Sequence, residues 1–141
     1  MDTRMFDDFM AGDDTLRIFE GDTLVFSSKK ARLLPLLDYL AASDSNAAVT
    51  VYDKVVGNAA ALLSVKAHAA AVYSPLGSEI AAGTLDGSGI THGFTKTVPY
   101  ITQADCVSMC PMEKLSIGKE PEEFYRALVT LIEDNRPPDP C

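Results

Sequence analysis

The chain has 141 residues, a hydrophobic content of 47% and a formal net charge of -8 at pH 7. This length predicts one domain that buries a sizeable core. The negative charge argues against nucleic acid and anionic membrane surfaces as partners, because both attract basic patches. No apolar run approaches the ~20 residues that a membrane span needs.

The cysteines and the start of the chain predict a cytoplasmic protein. Cys106, Cys110 and Cys141 form an odd set without the spacing of a secreted disulfide scaffold. Residues 1–8 are acidic and lack the apolar core of a signal peptide. A reducing compartment is therefore expected.

In chain order, a leader and a hairpin come first. Residues 1–14 are expected to form a helical or frayed leader. Two runs rich in β-forming residues, 16–20 and 23–27, flank Gly21-Asp22. A two-residue Gly-Asp connection between such runs predicts a β-hairpin.

The middle of the chain alternates helices and strands. The predicted elements are helix 31–42, strand 49–52, helix 55–67, strand 70–73, helix 77–85 and strand 90–95. This order implies parallel pairing with right-handed crossovers. With the hairpin added, it predicts an α/β fold, a three-layer α/β/α sandwich with a mixed sheet of about five strands.

A last helix is predicted to begin near Pro121, where a proline and several glutamates favour a helix start. We expect a single domain over 1–141, with the leader at 1–14, the core at 15–135 and a loose tail at 136–141.

The first candidate site lies between a strand and the central helix. Asp53 is a suitable N-cap residue, and Lys54 is expected in the first helical turn, where the helix dipole disfavours a cation. A lysine tolerated there is typical of a site that holds an anion. The small residue Gly57 would bring this helix close to the sheet. The alternative is an N-cap followed by a solvated lysine.

The second candidate site is the irregular segment 98–118, which is too apolar for simple disorder. We expect it to fold over the carboxyl edge of the sheet, with Tyr100 and Met112 in its wall. Cys110 at a helix start would have a lowered thiol pKa, and Glu113 would lie in the first turn. The alternatives are a buried structural thiol and a helix-dipole partner.

No metal and no cofactor are predicted. Cys106 and Cys110 have the spacing C-x₃-C instead of the C-x₂-C of common zinc sites. His68 and His92 would join them only by a coincidence of folding. We expect His68 to lie at a helix end and His92 to be an ordinary strand residue.

Two stretches resemble the hallmarks of the family called domain of unknown function 1893. They are 53–63, with the sequence DKVVGNAAALL, and 110–114, with the sequence CPMEK. Residues 98–101 between them fit the same family. The resemblance covers about 16–133 and implies a cytidine-deaminase-like fold without a characterised activity. Asn58 stands where the resemblance predicts lysine.

The resemblance does not extend to zinc chemistry. A zinc deaminase needs a His or Cys ligand two residues before a glutamate, and a later Pro-Cys-x-x-Cys at a helix start. Neither motif occurs in the sequence.

The sequence thus favours a deaminase-like domain that binds a small anionic metabolite or a nucleotide. The candidate ligand-binding residues are Asp53, Lys54, Gly57, Asn58, Tyr100 and Met112. One alternative is an enzyme in which Cys110 is a nucleophile or redox thiol, with Asp53 or Glu113 assisting it. Another is a structural or regulatory subunit, and a homo-oligomer is left open.

Overall fold

Five strands and six helices lie in the part of the chain that the computed structural model describes, residues 3–31, 33–43, 45–102 and 108–133. The strands are β1 Leu16–Glu20, β2 Thr23–Ser28, β3 Val49–Asp53, β4 Ala69–Ser78 and β5 Thr91–Val98. The helices are α1 Thr3–Ala11, α2 Leu34–Ala42, α3 Asn58–Lys66, α4 Glu79–Gly87, α5 Pro111–Ser116 and α6 Pro121–Glu133.

The strands form one open mixed sheet with the order β2-β1-β3-β4-β5. β1 is antiparallel to both β2 and β3, whereas β3, β4 and β5 are parallel. The predicted α/β class, the mixed five-stranded sheet and the parallel series are confirmed.

The predicted hairpin is also confirmed. Glu20 pairs with Thr23 across the two-residue connection. Gly21 has a φ of 58°, and the first central position of a type II′ turn requires such a positive φ.

The sheet packs against α1 through a cluster of aromatic rings. The Tyr52 ring lies 6.0 Å from Phe9, 5.6 Å from Phe19 and 5.7 Å from Tyr73, measured between centroids. Phe9 is fully buried. The leader is therefore a packed helix over the residues that the structure describes.

The central helix α3 is buried on nearly every side, as its apolar sequence predicts. Residues 58–64 are all buried, and α3 packs against α4, α5 and α6. Small side chains at Ala59, Ala60 and Ala61 leave room for these neighbours.

The predicted start of the central helix is wrong. Val56 still pairs with β4: its N–H donates to the Leu76 carbonyl at 2.9 Å, and the Ser78 N–H donates to the Val56 carbonyl at 3.0 Å. The chain thus stays extended until Gly57, which is the N-cap. Asp53 ends β3 and is not an N-cap, and Lys54 lies before α3 and not in its first turn.

Other boundaries also differ from the prediction. β4 runs through Ser74 and Pro75, where the sequence predicts a turn. α2 begins at Leu34, with Pro35 in its first turn. Ser78 caps α4 by accepting a hydrogen bond from the Ala81 N–H at 3.0 Å, so this helix begins two residues later than predicted.

The segment after β5 contains order that the sequence does not reveal. Thr102 forms an antiparallel bridge with Met109, and α5 follows directly. Cys106, Cys141 and the predicted tail at 136–141 lie outside the described residues. Among the helices of the described ranges, none combines the length and the apolar character needed to cross a membrane.

Candidate functional site

The carboxylate of Glu113 lies at the N-terminus of α3. The Glu113 side chain projects from α5 and is only 2% exposed. One of its oxygens accepts a hydrogen bond from the Asn58 N–H, and the other accepts one from the Ile101 N–H at 2.5 Å. Two backbone segments that are distant in sequence therefore converge on one carboxylate.

Gly57 leaves the space that this carboxylate occupies. A Cβ atom at position 57 would lie 2.9 Å from Cγ1 of Ile101 and 3.1 Å from Oε1 of Glu113. Both separations are tighter than ordinary contacts, so the close approach of the loop to the helix start requires glycine.

The Asn58 side chain extends the same polar cluster. Its Nδ2 donates to Oγ of Ser116 at 3.0 Å and lies 3.3 Å from the Ser116 carbonyl. Its Oδ1 accepts a hydrogen bond from the Thr84 hydroxyl, and the Ser116 hydroxyl donates to the Glu113 carbonyl at 2.6 Å. We call the side chains of Asn58, Thr84, Glu113 and Ser116 the Glu113 network. It joins α3, α4 and α5.

The Glu113 network accounts for much of the predicted anion site. A helix N-terminus presents free N–H groups and partial positive charge, which favour an anion. In this chain the anionic group at that place is the protein's own Glu113. The two family-like stretches therefore do meet, through Gly57 and Asn58 on one side and Glu113 on the other.

Lys54 is directed to a different part of the molecule. Its ammonium donates to the carbonyls of Gly12 at 3.2 Å and Asp14 at 2.9 Å. It also lies 4.5 Å from the centroid of the Phe9 ring. Lys54 therefore stabilises the connection between α1 and β1 through these two hydrogen bonds. It forms no ion pair with any described residue.

Asp53 is a buried carboxyl group at the carboxyl end of β3. Its Oδ1 accepts a hydrogen bond of 3.4 Å from the Val55 N–H. Burial raises the pKa of Asp53 from 3.8 to about 7, against the smaller opposing effect of backbone N–H groups at Val55 and Lys54. Within the described ranges it has no ion-pair partner.

The remaining predicted site residues lie in or beside α5. Cys110 is buried and disulfide-bonded, so its sulfur is not a free thiol in this structure. Its N–H donates to the Ile101 carbonyl at 2.8 Å. Met112 is buried, and Tyr100 is half-buried.

Three contributors to the Glu113 network are absent from the sequence prediction. Ile101 acts through its backbone, which no side-chain pattern reveals. Thr84 and Ser116 are single hydroxyl residues without a motif. The one available signal was Asn58, because a polar residue inside an otherwise apolar helix needs hydrogen-bond partners when it is buried.

Neither histidine belongs to a metal cluster formed by the described residues. His68 follows α3 with a φ of 66°, which is typical of the residue that ends a helix. Nε2 of His92 lies 3.0 Å from Asp86. Among the described residues, no group of three or more His, Cys, Asp and Glu side chains is arranged to hold a metal ion.

A shallow polar cleft of about 160 Å³ lies beside the ends of α2 and α3. Lys66 in its wall is already paired with Glu122 at 2.5 Å. Because the C-termini of both helices carry partial negative charge, the cleft is poorly suited to an anion. Its lining residues are Tyr39, Leu40, Ser43, Ser45, Asn46, Lys66, Ala67 and His68.

The fold and the site together define a class of protein: an α/β domain with an open mixed sheet, in which a carboxylate from a late segment caps the central helix. The sequence matches the model of the domain of unknown function DUF1893 over residues 5–132. The chain therefore belongs to the DUF1893 family.

A solved structure agrees with this assignment. The chain resembles the crystal structure of a DUF1893 family protein from Thermotoga maritima, with a TM-score of 0.82 and 27% sequence identity. The match covers 91% of this chain and 87% of that chain. No curated protein matches the sequence.

Proposed function

We propose that this protein is a cytidine-deaminase-like domain that binds a nucleotide or a similarly small anionic metabolite at the carboxyl edge of β3, without zinc deaminase chemistry. The observation that supports this proposal is the buried carboxyl group of Asp53, which has no ion-pair partner among the described residues.

Asp53 has the properties of a ligand-recognition group. Open α/β sheets bind ligands outside the carboxyl ends of their strands, and Asp53 is the last residue of β3. A buried carboxyl group without a cationic partner destabilises the fold at neutral pH, and such groups are concentrated at functional sites. Its free hydrogen-bonding capacity suits an N–H or O–H donor, such as a nucleobase edge or a ribose hydroxyl.

The anionic part of the ligand needs a positive group elsewhere, because Glu113 already occupies the N-terminus of α3. Lys54 is next to Asp53 in the chain and has no carboxylate partner in the described ranges. We therefore assign the phosphate or carboxylate of the ligand to Lys54, whose ammonium would exchange its hydrogen bonds to the carbonyls of Gly12 and Asp14 for the ligand. Gly57 and Asn58 support the site by holding Glu113, while Tyr100 and Met112 form its wall.

The test is isothermal titration calorimetry with a panel of nucleoside phosphates at pH 6 and pH 8. At least one ligand should bind wild-type protein with an affinity that changes across pH 7, because Asp53 titrates there. Asp53→Asn should abolish the pH dependence. Lys54→Gln, which keeps a hydrogen-bond donor and removes the charge, should weaken binding about tenfold.

The matched control is Lys96→Gln, which removes a positive charge from the exposed strand β5 and should leave the affinity unchanged. Melting temperatures should show that all variants remain folded. The proposal fails if no nucleotide binds, or if Asp53→Asn and Lys54→Gln bind the ligand as the wild type does.

A structural or regulatory subunit is the second candidate function. It is favoured by the Glu113 network, whose polar groups satisfy one another inside the fold and need no ligand. The enzyme alternative with Cys110 as nucleophile or redox thiol has less support, because a buried disulfide sulfur is not a nucleophilic thiolate.

A further inference from the structure

The helix α1 is attached to the sheet through aromatic side chains on one of its faces. Among residues 4–11, Phe9 is the one that is buried, and the other side chains are half-buried or exposed. The Phe9 ring lies 6.0 Å from the Tyr52 ring, and the half-buried Phe6 ring lies 6.4 Å from it, measured between centroids. Few side chains therefore hold this helix on the sheet.

The ammonium group of Lys54 lies at the C-terminal end of α1. The helix ends at Ala11, and the ammonium donates to the carbonyls of Gly12 at 3.2 Å and Asp14 at 2.9 Å. A cation is favourable there, because the C-terminus of a helix carries partial negative charge. The last turn of α1 has no basic residue of its own, so the positive charge at this end comes from outside the helix.

α1 depends on these contacts for its helical structure. It has nine residues, and isolated helices of this length are marginal in water. Asp8 lies in its last turn, where the helix dipole disfavours an anion. Weaker contacts with Lys54 should therefore shift α1 towards an undocked and unfolded form.

An anion bound at Lys54 competes with α1 for the same ammonium group. The ammonium is a hydrogen-bond donor only, and its contacts with described residues are the two carbonyls after α1 and the Phe9 ring, whose centroid is 4.5 Å away. All three belong to α1 or to its connection with β1. A phosphate or carboxylate that takes these donors removes them from that segment.

We propose that α1 is a displaceable helix: an anion that binds Lys54 withdraws the ammonium from the carbonyls of Gly12 and Asp14 and undocks α1 from the sheet. This inference rests on the proposed function, because it gives a regulatory consequence to the anionic group that we assign to Lys54. Undocking uncovers the ring of Tyr52, which is only 3% exposed under α1. By linkage the coupling is reciprocal, so a weaker attachment of α1 strengthens anion binding.

The first test is hydrogen exchange of the α1 amides, followed by mass spectrometry without ligand. Lys54→Gln should make these amides exchange about tenfold faster than in the wild type, because a charged donor to two carbonyls is lost. The matched control Lys96→Gln removes a charge from the exposed strand β5 and should leave their exchange unchanged.

The second test adds cytidine 5′-monophosphate at matched ionic strength. Where another nucleoside phosphate of the calorimetric panel binds more tightly, that nucleotide replaces it. The nucleotide should accelerate exchange of the α1 amides in the wild type and should cause no further acceleration in Lys54→Gln.

The third test uses the reciprocity of the coupling. Phe9→Ala removes the buried ring of α1 and leaves Lys54 in place, so it should bind the nucleotide about fivefold more tightly than the wild type in calorimetry. Phe6→Ala, a change at a half-buried position, should act in the same direction and serves where Phe9→Ala does not fold. A purely structural role of α1 would leave the affinity unchanged or lower it.

The outcomes separate this inference from the proposed function. Equal α1 exchange in Lys54→Gln and wild type overturns the inference, whatever the calorimetry shows. The inference also fails, and the proposed function stands, if a nucleotide binds while α1 exchange in the wild type is unchanged or slower. If no nucleotide of the panel binds, the proposed function fails and the coupling of α1 to a ligand fails with it.

Discussion

At the scale of single residues, Glu113 gives a common reason for several features of the sequence. Its carboxylate needs donors from Asn58 and Ile101 and needs the absence of a side chain at Gly57. Gly57, just before the helix, and Glu113, far later in the sequence, therefore form one intramolecular cap together. A short capping residue at the N-cap position usually has this role, and here Gly57 supplies no side-chain cap.

Replacing Glu113 with glutamine should test this cap. The amide keeps the shape but offers one acceptor oxygen, so one of the two buried N–H groups would face an NH₂ group. Leaving a buried donor unsatisfied costs about 1–3 kcal/mol. We expect Glu113→Gln to lower the free energy of unfolding by that amount in urea denaturation.

The control is Glu79→Gln, in the exposed first turn of α4, where the loss should stay below about 1 kcal/mol. Equal losses for the two variants would mean that the Glu113 carboxylate has no special role in stability.

Residue roles were predictable from the sequence only in part. The motif stretches were expected to converge, and Gly57, Asn58 and Glu113 do so. Lys54 and Asp53 were misplaced because the helix was expected to start too early. The donors from Ile101 and Thr84 arise from contacts between distant segments, which composition and spacing do not encode.

At the scale of elements, the burial of α3 was predictable and its boundary was not. An apolar sequence on all sides indicates a buried helix, whatever its neighbours are. Its start depends on Val56, whose backbone hydrogen bonds go to β4. Because the partner is a strand that comes later in the chain, propensity at positions 53–57 cannot reveal this extension.

Two glycine substitutions should separate a glycine required by packing from one that is not. Gly57→Ala should destabilise the protein by about 1–3 kcal/mol, since the new methyl group meets Ile101 and Glu113. Gly83→Ala should stabilise it by about 0.5–1 kcal/mol, because Gly83 is in α4 with open space around it. Thermal and urea unfolding measure both.

Opposite signs for these two variants would support the close approach of α5 to the start of α3. A neutral or stabilising effect of Gly57→Ala would contradict it, because the backbone of Gly57, with φ -85° and ψ 179°, is accessible to alanine.

At the scale of the whole molecule, the order of elements was sufficient to predict the mixed sheet. Parallel strands with short connections allow few sheet arrangements. The hairpin adds β1 and β2 to one side of the sheet, with β1 antiparallel to both β2 and β3. The structure of residues 108–118 was not predictable, because it depends on contacts with Ile101 and the start of α3. The same contacts bury Glu113.

Asp53 should make global stability depend on pH in a direction opposite to that of most carboxylates. Its pKa is raised by burial from 3.8 to about 7. Below pH 3.8 the carboxyl is protonated in both folded and unfolded chains, and its neutral form fits the buried position. As the pH rises towards 7, the unfolded chain loses this proton while the folded chain keeps it, so stability falls; above 7 the loss is complete.

The difference between 3.8 and about 7 corresponds to at most about 4 kcal/mol. The other acidic groups also titrate, so the measurement compares wild type with Asp53→Asn in urea from pH 4 to pH 8. The asparagine variant should gain stability relative to the wild type across this range, with most of the change between pH 4 and pH 7. Asp22→Asn, at an exposed position, should run parallel to the wild type. If the gap between wild type and Asp53→Asn is constant with pH, Asp53 is ionised in the folded protein at the same pH as in the unfolded chain, and its burial is too shallow to define a site.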